Sequence, residues 1–407
     1  MQSAGWTPYD LSHTWTLGIA EEMAASQTTA NRGDIPVLHG IRGLLALWVL
    51  LGHSLFLCGA YFPILSAPGV AVYAFMVMSG FLMALHFRLR EAREPWDKRK
   101  TWLLFYIRRF FRIAPLYYVV LIVAFAFHHQ YMTNYYHVQR LFPFFLNHPP
   151  TFVAPFSLTS LVLHFGFLFG LLPSTADNNI LPDWSIGLEM QFYFLFPFMM
   201  LTLRRFGAFW SAFVSLMILV VARSVTPTFP QPSFLPLVIT PFVVGIFMSE
   251  AWLQEDRLKS SALLVLAIFM SSVRLPFMFQ AIPLAMIFLI NFSSLYAEFG
   301  MTRIGSIAIE ILGGRVGFFL GERSYSVYLI HMLVIVPLVS LLSANPWFVS
   351  ESPGWRFAIV APTMIVICYL LASLTLKVVE NPGIDLGRRI VNRWRTPARP
   401  APAVAGN

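Results

Sequence analysis

Charge is what this chain has least of. Only 12% of its 407 residues are charged while 57% are hydrophobic, and the mean hydropathy is +0.68. A soluble domain carries roughly 25% charged residues and could not hide so much apolar surface. A bilayer can, because a helix of about 20 apolar residues satisfies its own backbone inside lipid. Cysteine is nearly missing as well. Cys58 and Cys368 both sit in apolar stretches, where they read as small packed hydrophobes rather than as a disulfide or metal ligands. Acidic residues number 19 against 28 Lys and Arg, a net charge of +9. In a membrane chain that excess marks cytoplasmic loops, so no nucleic-acid partner is expected. The sequence holds no Walker-type loop, no dinucleotide-binding glycine pattern and no HExxH, which removes the usual grounds for nucleotide hydrolysis and zinc proteolysis and leaves no metal site to expect. Self-similar halves, which build many secondary transporters, are also missing.

Eleven apolar stretches of spanning length are present, near 41–61, 68–87, 113–128, 153–172, 185–203, 207–223, 234–251, 261–276, 280–297, 325–343 and 356–376. The connection from Arg88 to Arg112 holds nine Lys or Arg against Glu91, Glu94 and Asp97, so it belongs in the cytoplasm, and the N-terminus with it. If all eleven stretches crossed, Arg204, Arg303 and Arg323 would fall outside. Removing 153–172 returns them to the inside, together with Lys259 and the basic C-terminal region. The reading is therefore an all-α, multi-pass protein with about ten transmembrane helices, both termini cytoplasmic, and a re-entrant or interfacial helix at 153–172 that borders a site.

Residues 1–34 are polar and mixed, with Glu21 and Glu22 beside a short apolar run. They do not read as a cleaved signal peptide, and the first crossing is expected to serve as its own signal. Residues 35–385 form the membrane domain. Residues 386–407 are basic, then rich in Pro and Ala, and are expected to be a disordered cytoplasmic tail.

Arg42 and His53 lie eleven positions apart in the first segment. Eleven steps of about 100° return to nearly the same helix face, over a rise of about 16 Å. Arg42 is then near the cytoplasmic surface and His53 near mid-membrane. An ionisable residue at that depth is costly, and histidine can accept a hydroxyl proton near neutral pH, so general base is its natural role; interhelical packing is the alternative. Ser79 and Gly80 let a neighbouring helix approach, although Ser79 is also a conceivable nucleophile. Arg108, Arg109 and Arg112 precede the third crossing, with Arg109 and Arg112 on one face. Guanidinium forks suit phosphate, but topology and anionic lipid alone would also place arginines there. Glu189 falls one turn inside the segment that opens Pro182-Asp183-Trp184-Ser185, where it would orient a histidine, grip a sugar hydroxyl or form an ion pair. His331, about two turns from the cytoplasmic face, is placed to line a donor channel. His128, His129, His137 and His148 read as solvent-facing residues of an outer connection.

Taken in order, the Arg42 to His53 spacing, FMVMSGFLM, YIRRFFRIAPLYY, WSIGLEMQFYFLFP, GERSYSVYLIH and Val379-Glu380-Asn381-Pro382 resemble the family-3 membrane acyltransferases over residues 35 to 385. The resemblance implies a ten-helix bacterial inner-membrane domain that takes acyl-coenzyme A, often acetyl-coenzyme A, from the cytoplasm and acylates a carbohydrate or lipid-linked sugar. It implies that His53 is the essential histidine and Arg42 its paired arginine. Arg109 with Arg112 matches the cytoplasmic RxxR motif, and Glu189 the glutamate of the WSL-type motif. Ser79 and Trp184 would complete the substrate side, and Glu189 and His331 the catalytic set. Two positions depart: His39 stands where many members have an aspartate, and Met190 replaces a frequent acidic residue, which leaves any proton-relay role there unsupported. Some relatives fuse an extracytoplasmic hydrolase-like domain after the last helix; here only the short tail follows, so the chain would act alone or with a separate extracytoplasmic partner.

The expected chemistry is direct. His53 removes the proton of an acceptor hydroxyl, which attacks the thioester carbonyl, while Arg42, about 16 Å away along the helix, positions the donor. His331 assists. A covalent intermediate on His53 or Ser79 is the variant. No permanently bound cofactor is expected. From other classes stand a transporter or flippase for an acidic lipid or sugar, and a sensor or scaffold without chemistry.

Overall fold

A computed structural model describes residues 35–142, 157–176, 179–226, 228–229, 231–273 and 310–394. Among them the regular structure is all helical. The elements are α1 (Pro36–Leu57), α2 (Pro68–Arg90), α3 (Arg99–Ala126), α4 (His128–Leu141), α5 (Leu158–Phe165), α6 (Trp184–Val225), α7 (Ile239–Leu253), α8 (Arg257–Ser272), α9 (Arg315–Ser343), α10 (Pro346–Ser350), α11 (Pro353–Thr375) and α12 (Asn381–Trp394). Local chemistry sets several starts. Proline occupies the first turn of α1, α2 and α11, where no backbone donor is lost. The side chains of Ser157, Asp256, Asn345 and Ser352 accept from the first amides of α5, α8, α10 and α11 as helix caps.

Six described helices are long and apolar enough to cross a membrane: Pro36–Leu57, Pro68–Arg90, Arg99–Ala126, Trp184–Val225, Arg315–Ser343 and Pro353–Trp394. Ile239–Leu253 is apolar but shorter. The expected segment at 280–297 lies outside the described residues, as do the end of 261–276 and the start of 153–172. The 42 residues of α6 would measure about 63 Å if straight, twice the hydrocarbon thickness of a bilayer. Gly207 interrupts them at φ 82°, a left-handed conformation that glycine adopts without strain. The break falls at the boundary between the expected segments 185–203 and 207–223, so what is one helix by hydrogen bonding is two rods by backbone angle.

From residue 157 onward the stretch expected not to cross forms only the eight residues of α5 and a single 3-10 turn, Phe169–Leu171. Eight residues rise about 12 Å, too little to span. The connection of histidines after α3 is itself folded. His128, His129 and His137 lie on α4, whose Tyr131, Met132, Tyr135 and Val138 are buried and whose Asn134 accepts from Ser340 of α9 at 3.0 Å. The tail also differs from expectation. After α11 a π-turn, Leu376–Glu380, leads into α12, which runs to Trp394. Its Gly383 and Gly387 rest on Pro115 and Phe111 of α3. Buried glycines four apart on one face, with arginines elsewhere around the helix, make an amphipathic element that sequence composition alone hides. Residues 395–407 lie outside the described part.

Two seams organise the bundle, and both are built from glycine. On α2 and α7, a Cβ at Gly80 would sit 2.1 Å from the Phe242 carbonyl oxygen, and one at Gly245 would sit 1.9 Å from that of Val77. On α1 and α9, a Cβ at Gly43 would meet the Leu320 side chain at 2.4 Å and one at Gly321 the His39 carbonyl at 2.2 Å. Main chains in direct contact are how small residues hold membrane helices together. The seams bring the faces of α1, α2 and α9 that carry the polar residues toward one space.

Candidate functional site

That space is a cavity of about 170 Å³ lined from α1, α2, α3, α6, α7 and α9. From α2 it receives Met78 and, along the i, i+3, i+4, i+7 stripe of one helix face, Val72, Phe75, Met76, Ser79, Leu82 and Met83. Val72 to Met83 is eleven residues, about 16 Å of rise, so the cavity is elongated along the helix axes. One end holds Arg42, Arg109 and Arg112. The other holds Ser185, Ile186 and Tyr328.

At the first end Arg42 Nη2 donates to Ser324 Oγ at 3.4 Å. Arg112 stands 4.0 Å from Glu380, whose side chain is fully buried, and Glu380 accepts from Ser326, which in turn contacts Thr375 at 2.9 Å. The guanidinium of Arg109 lies 5.6 Å from the Tyr193 ring centre and 5.9 Å from that of Phe105, within cation–π range. Arg108 faces elsewhere and makes a bidentate pair with Glu94, at 3.1 and 2.6 Å. The basic cluster thus divides as helix geometry requires. Positions 109 and 112 share a face, and 108 is about 100° away from 109.

Midway, Glu189 Oε1 accepts from Ser79 Oγ at 2.9 Å and from the Tyr193 hydroxyl. Its carboxylate is held by hydroxyl groups, and Ser79 is a donor to it while Gly80 makes the close backbone approach. At the far end Ser185 Oγ and Tyr328 Oη lie 2.7 Å apart, and Tyr328 donates to the Pro182 carbonyl at 2.9 Å. Trp184, the first residue of α6, is half-buried against the core instead of lining the cavity.

The two histidines meet beyond Tyr328. His331 Nε2 is 3.3 Å from His53 Nδ1, with ring centres 5.0 Å apart. Carbonyls accept only, so they settle the tautomers. His331 Nδ1 donates to Tyr328 O at 2.6 Å and His53 Nδ1 to Val49 O at 2.9 Å. In the neutral rings the lone pair of each is then on Nε2. His331 offers its lone pair to His53 Nδ1–H, which keeps the lone pair of His53 on Nε2. His331 is fully buried and sits sixteen residues into α9, about 24 Å from its start. α9 begins at Arg315, so Gly321-Glu322-Arg323-Ser324 lies inside the helix and His331 follows Arg323 by eight residues, about two turns. His331 does not line the cavity; it touches the site through His53 and Tyr328.

The structure therefore gathers Arg42, Arg109, Arg112, Ser79 and Glu189 around one cavity and pairs His53 with His331 past its end. Arg42 and His53 do not share a wall of it. Sequence reasoning gave no role to Tyr193, Ser185, Tyr328 or Glu380. Tyr193 is four residues after Glu189, and Tyr328 three before His331, so a helical-face argument from each charged residue would have found both. The two departing positions are structural: His39 lies against Phe318, ring centres 5.0 Å apart, and Met190 packs on the core.

A family model described as an acyltransferase domain, that of acyltransferase family 3, matches residues 35–373. Nose resistant to fluoxetine protein 6 of Caenorhabditis elegans is 30% identical over 123 residues, a match that takes in 24% of this chain and 15% of that protein. No solved structure matches.

Proposed function

This chain belongs to acyltransferase family 3, and on that premise we propose that it is a membrane-bound O-acyltransferase moving an acetyl or other short acyl group from acyl-coenzyme A to a hydroxyl of a cell-surface carbohydrate or lipid-linked sugar. The observation that carries the reading is the cavity, with three arginines at one end and Tyr328, backed by the His53–His331 pair, at the other. A coenzyme A thioester has the same polarity: anionic phosphates, a long flexible arm and a reactive carbonyl at its tip. Arg42, Arg109 and Arg112 hold the phosphates by charge-assisted hydrogen bonds, and the apolar stripe of α2 accommodates the arm. His53 Nε2 takes the proton of the acceptor hydroxyl. His331 keeps His53 in the required tautomer. Glu189 fixes the middle of the cavity, where it holds Ser79 and Tyr193 in place, and Trp184 shapes the acceptor side at the start of α6.

In the bilayer the domain makes about ten crossings of the bacterial inner membrane with both termini in the cytoplasm, which turns the arginine end toward the acyl-coenzyme A pool. No cofactor is permanently bound. The domain acts alone or with a separate extracytoplasmic partner.

The test is release of free thiol from acetyl-coenzyme A by detergent-purified protein with an envelope glycan extract, comparing wild type with His53→Ala at equal folded amounts. Release that requires the glycan, and falls about 10² to 10⁴-fold in the variant, is expected for a general base. Glycan-dependent release that survives the substitution would keep the enzyme and remove its base. An arginine-lined cavity also suits the acidic head of a transported lipid or sugar. Movement of such a compound across proteoliposomes, with no thioester consumed, would replace transfer by transport.

A further inference from the structure

Attack on a thioester puts negative charge on the carbonyl oxygen, and a donor aimed at that oxygen is often the largest single contribution to the rate. The arginines cannot serve there if His53 is the base, because Arg42 is about 16 Å along α1 from it. At the histidine end the cavity wall offers two hydroxyl groups, those of Ser185 and Tyr328. Tyr328 is the residue that joins the cavity to the histidines. Its side chain lines the cavity, its carbonyl accepts from His331 Nδ1 at 2.6 Å, and the two rings are 5.9 Å apart.

The proton positions follow from the partners. Pro182 O can only accept, so the phenolic proton points to it at 2.9 Å. Ser185 Oγ, 2.7 Å from the phenolic oxygen, is then the donor to Tyr328. A phenol that receives a hydrogen bond is polarised and becomes a stronger donor itself. Both residues are held: Ser185 in the first turn of α6, whose start is fixed by Asp183, and Tyr328 one turn from His331 on α9. Asp183 in turn accepts from Tyr117 at 3.0 Å and Asn179 at 2.8 Å.

We infer that Tyr328, polarised by Ser185, is a catalytic residue that donates to the thioester carbonyl oxygen during transfer. The inference rests on the acyl-transfer reading above. In the step, the acceptor oxygen bonds to the carbonyl carbon as its proton passes to His53 Nε2. The carbonyl π pair moves onto its oxygen, and the phenolic proton turns from Pro182 O to meet it. Collapse re-forms the C=O bond and breaks C–S, and the departing thiolate takes the proton back from His53. Atoms and charge balance with no further reactant.

The experiment compares wild type, Tyr328→Phe, Ser185→Ala and Ser185→Thr by thiol release from acetyl-coenzyme A with the glycan extract, reading kcat and KM separately. Tyr328→Phe keeps the ring and removes only the hydroxyl. It should lower kcat about 10² to 10³-fold, the effect of losing one oxyanion donor, with the KM for acetyl-coenzyme A within about threefold of wild type. Ser185→Ala should lower kcat about tenfold and Ser185→Thr should restore it; if Tyr328→Phe does not fold, this pair decides. A kcat for Tyr328→Phe within threefold of wild type overturns the role while acyl transfer stands, as does a loss confined to KM or equal activity in the two Ser185 variants. A wild type that consumes no thioester ends the acyl-transfer reading and this one together.

Discussion

The two ends of the cavity are built on opposite principles. At the arginine end every charge answers another group across the bundle: Arg112 faces Glu380, Arg42 reaches Ser324, and Arg109 lies over Tyr193. At the histidine end the carbonyls of Val49, Tyr328 and Pro182 and the hydroxyl of Ser185 set the protons. A site that must grip an anion needs fixed charge, and guanidinium supplies it at any physiological pH. A site that must lend and recover a proton needs a neutral base with its tautomer already chosen. On the proposed reading, the difference would separate binding from chemistry.

Substitutions can break that separation. Neutralising both arginines of the shared face, Arg109→Met with Arg112→Met, should have the largest effect on donor binding, raising the KM for acetyl-coenzyme A about 10² to 10⁴-fold while kcat changes little, since charge-assisted hydrogen bonds contribute about 1.5–3 kcal/mol each. A drop in kcat at constant KM would show that the two ends are not separate. His331→Asn should act at the other end. Loss of the lone pair facing His53 Nδ1 should cut kcat about tenfold and leave KM unchanged, and steady-state kinetics across acetyl-coenzyme A concentrations would read both. The smallest effect is expected for Arg108→Ala. Its partner is Glu94 outside the cavity, so KM should stay within about twofold, while thermal unfolding in detergent should register the loss of a partly buried bidentate pair, about 1 kcal/mol or somewhat more. An Arg108→Ala KM as high as that of the double variant would return all three arginines to a single, undivided patch.

Much of this arrangement is legible residue by residue. Periodicity alone puts Arg109 and Arg112 on one face and Arg108 off it, and the contacts agree. Gly80 was readable as a place of close approach, because a glycine in an apolar helix has little other use. The unreadable parts are pairings between distant segments. Ser185 and Tyr328 are 143 residues apart, and Ser326 and Glu380 are 54 apart; no helical face connects them. The folded stretch from Arg388 to Arg393 was also hidden, because its support is a pair of glycines against Pro115 and Phe111 on another helix.

By itself the sequence determined the solvent this protein lives in and the family it belongs to, since apolar length and side-chain order along single helices are local properties. It also determined which arginines can act together, because the helical repeat is fixed by the backbone. Only the tertiary structure decided that Arg42 lines the cavity while His53 lies past its end, that His331 meets His53, and that Tyr328 stands between the cavity and the pair. Those outcomes depend on how far each helix is shifted and rotated against its neighbours. That choice is made by backbone contact at Gly80, Gly245, Gly43 and Gly321, where even one added methyl group would force the helices apart.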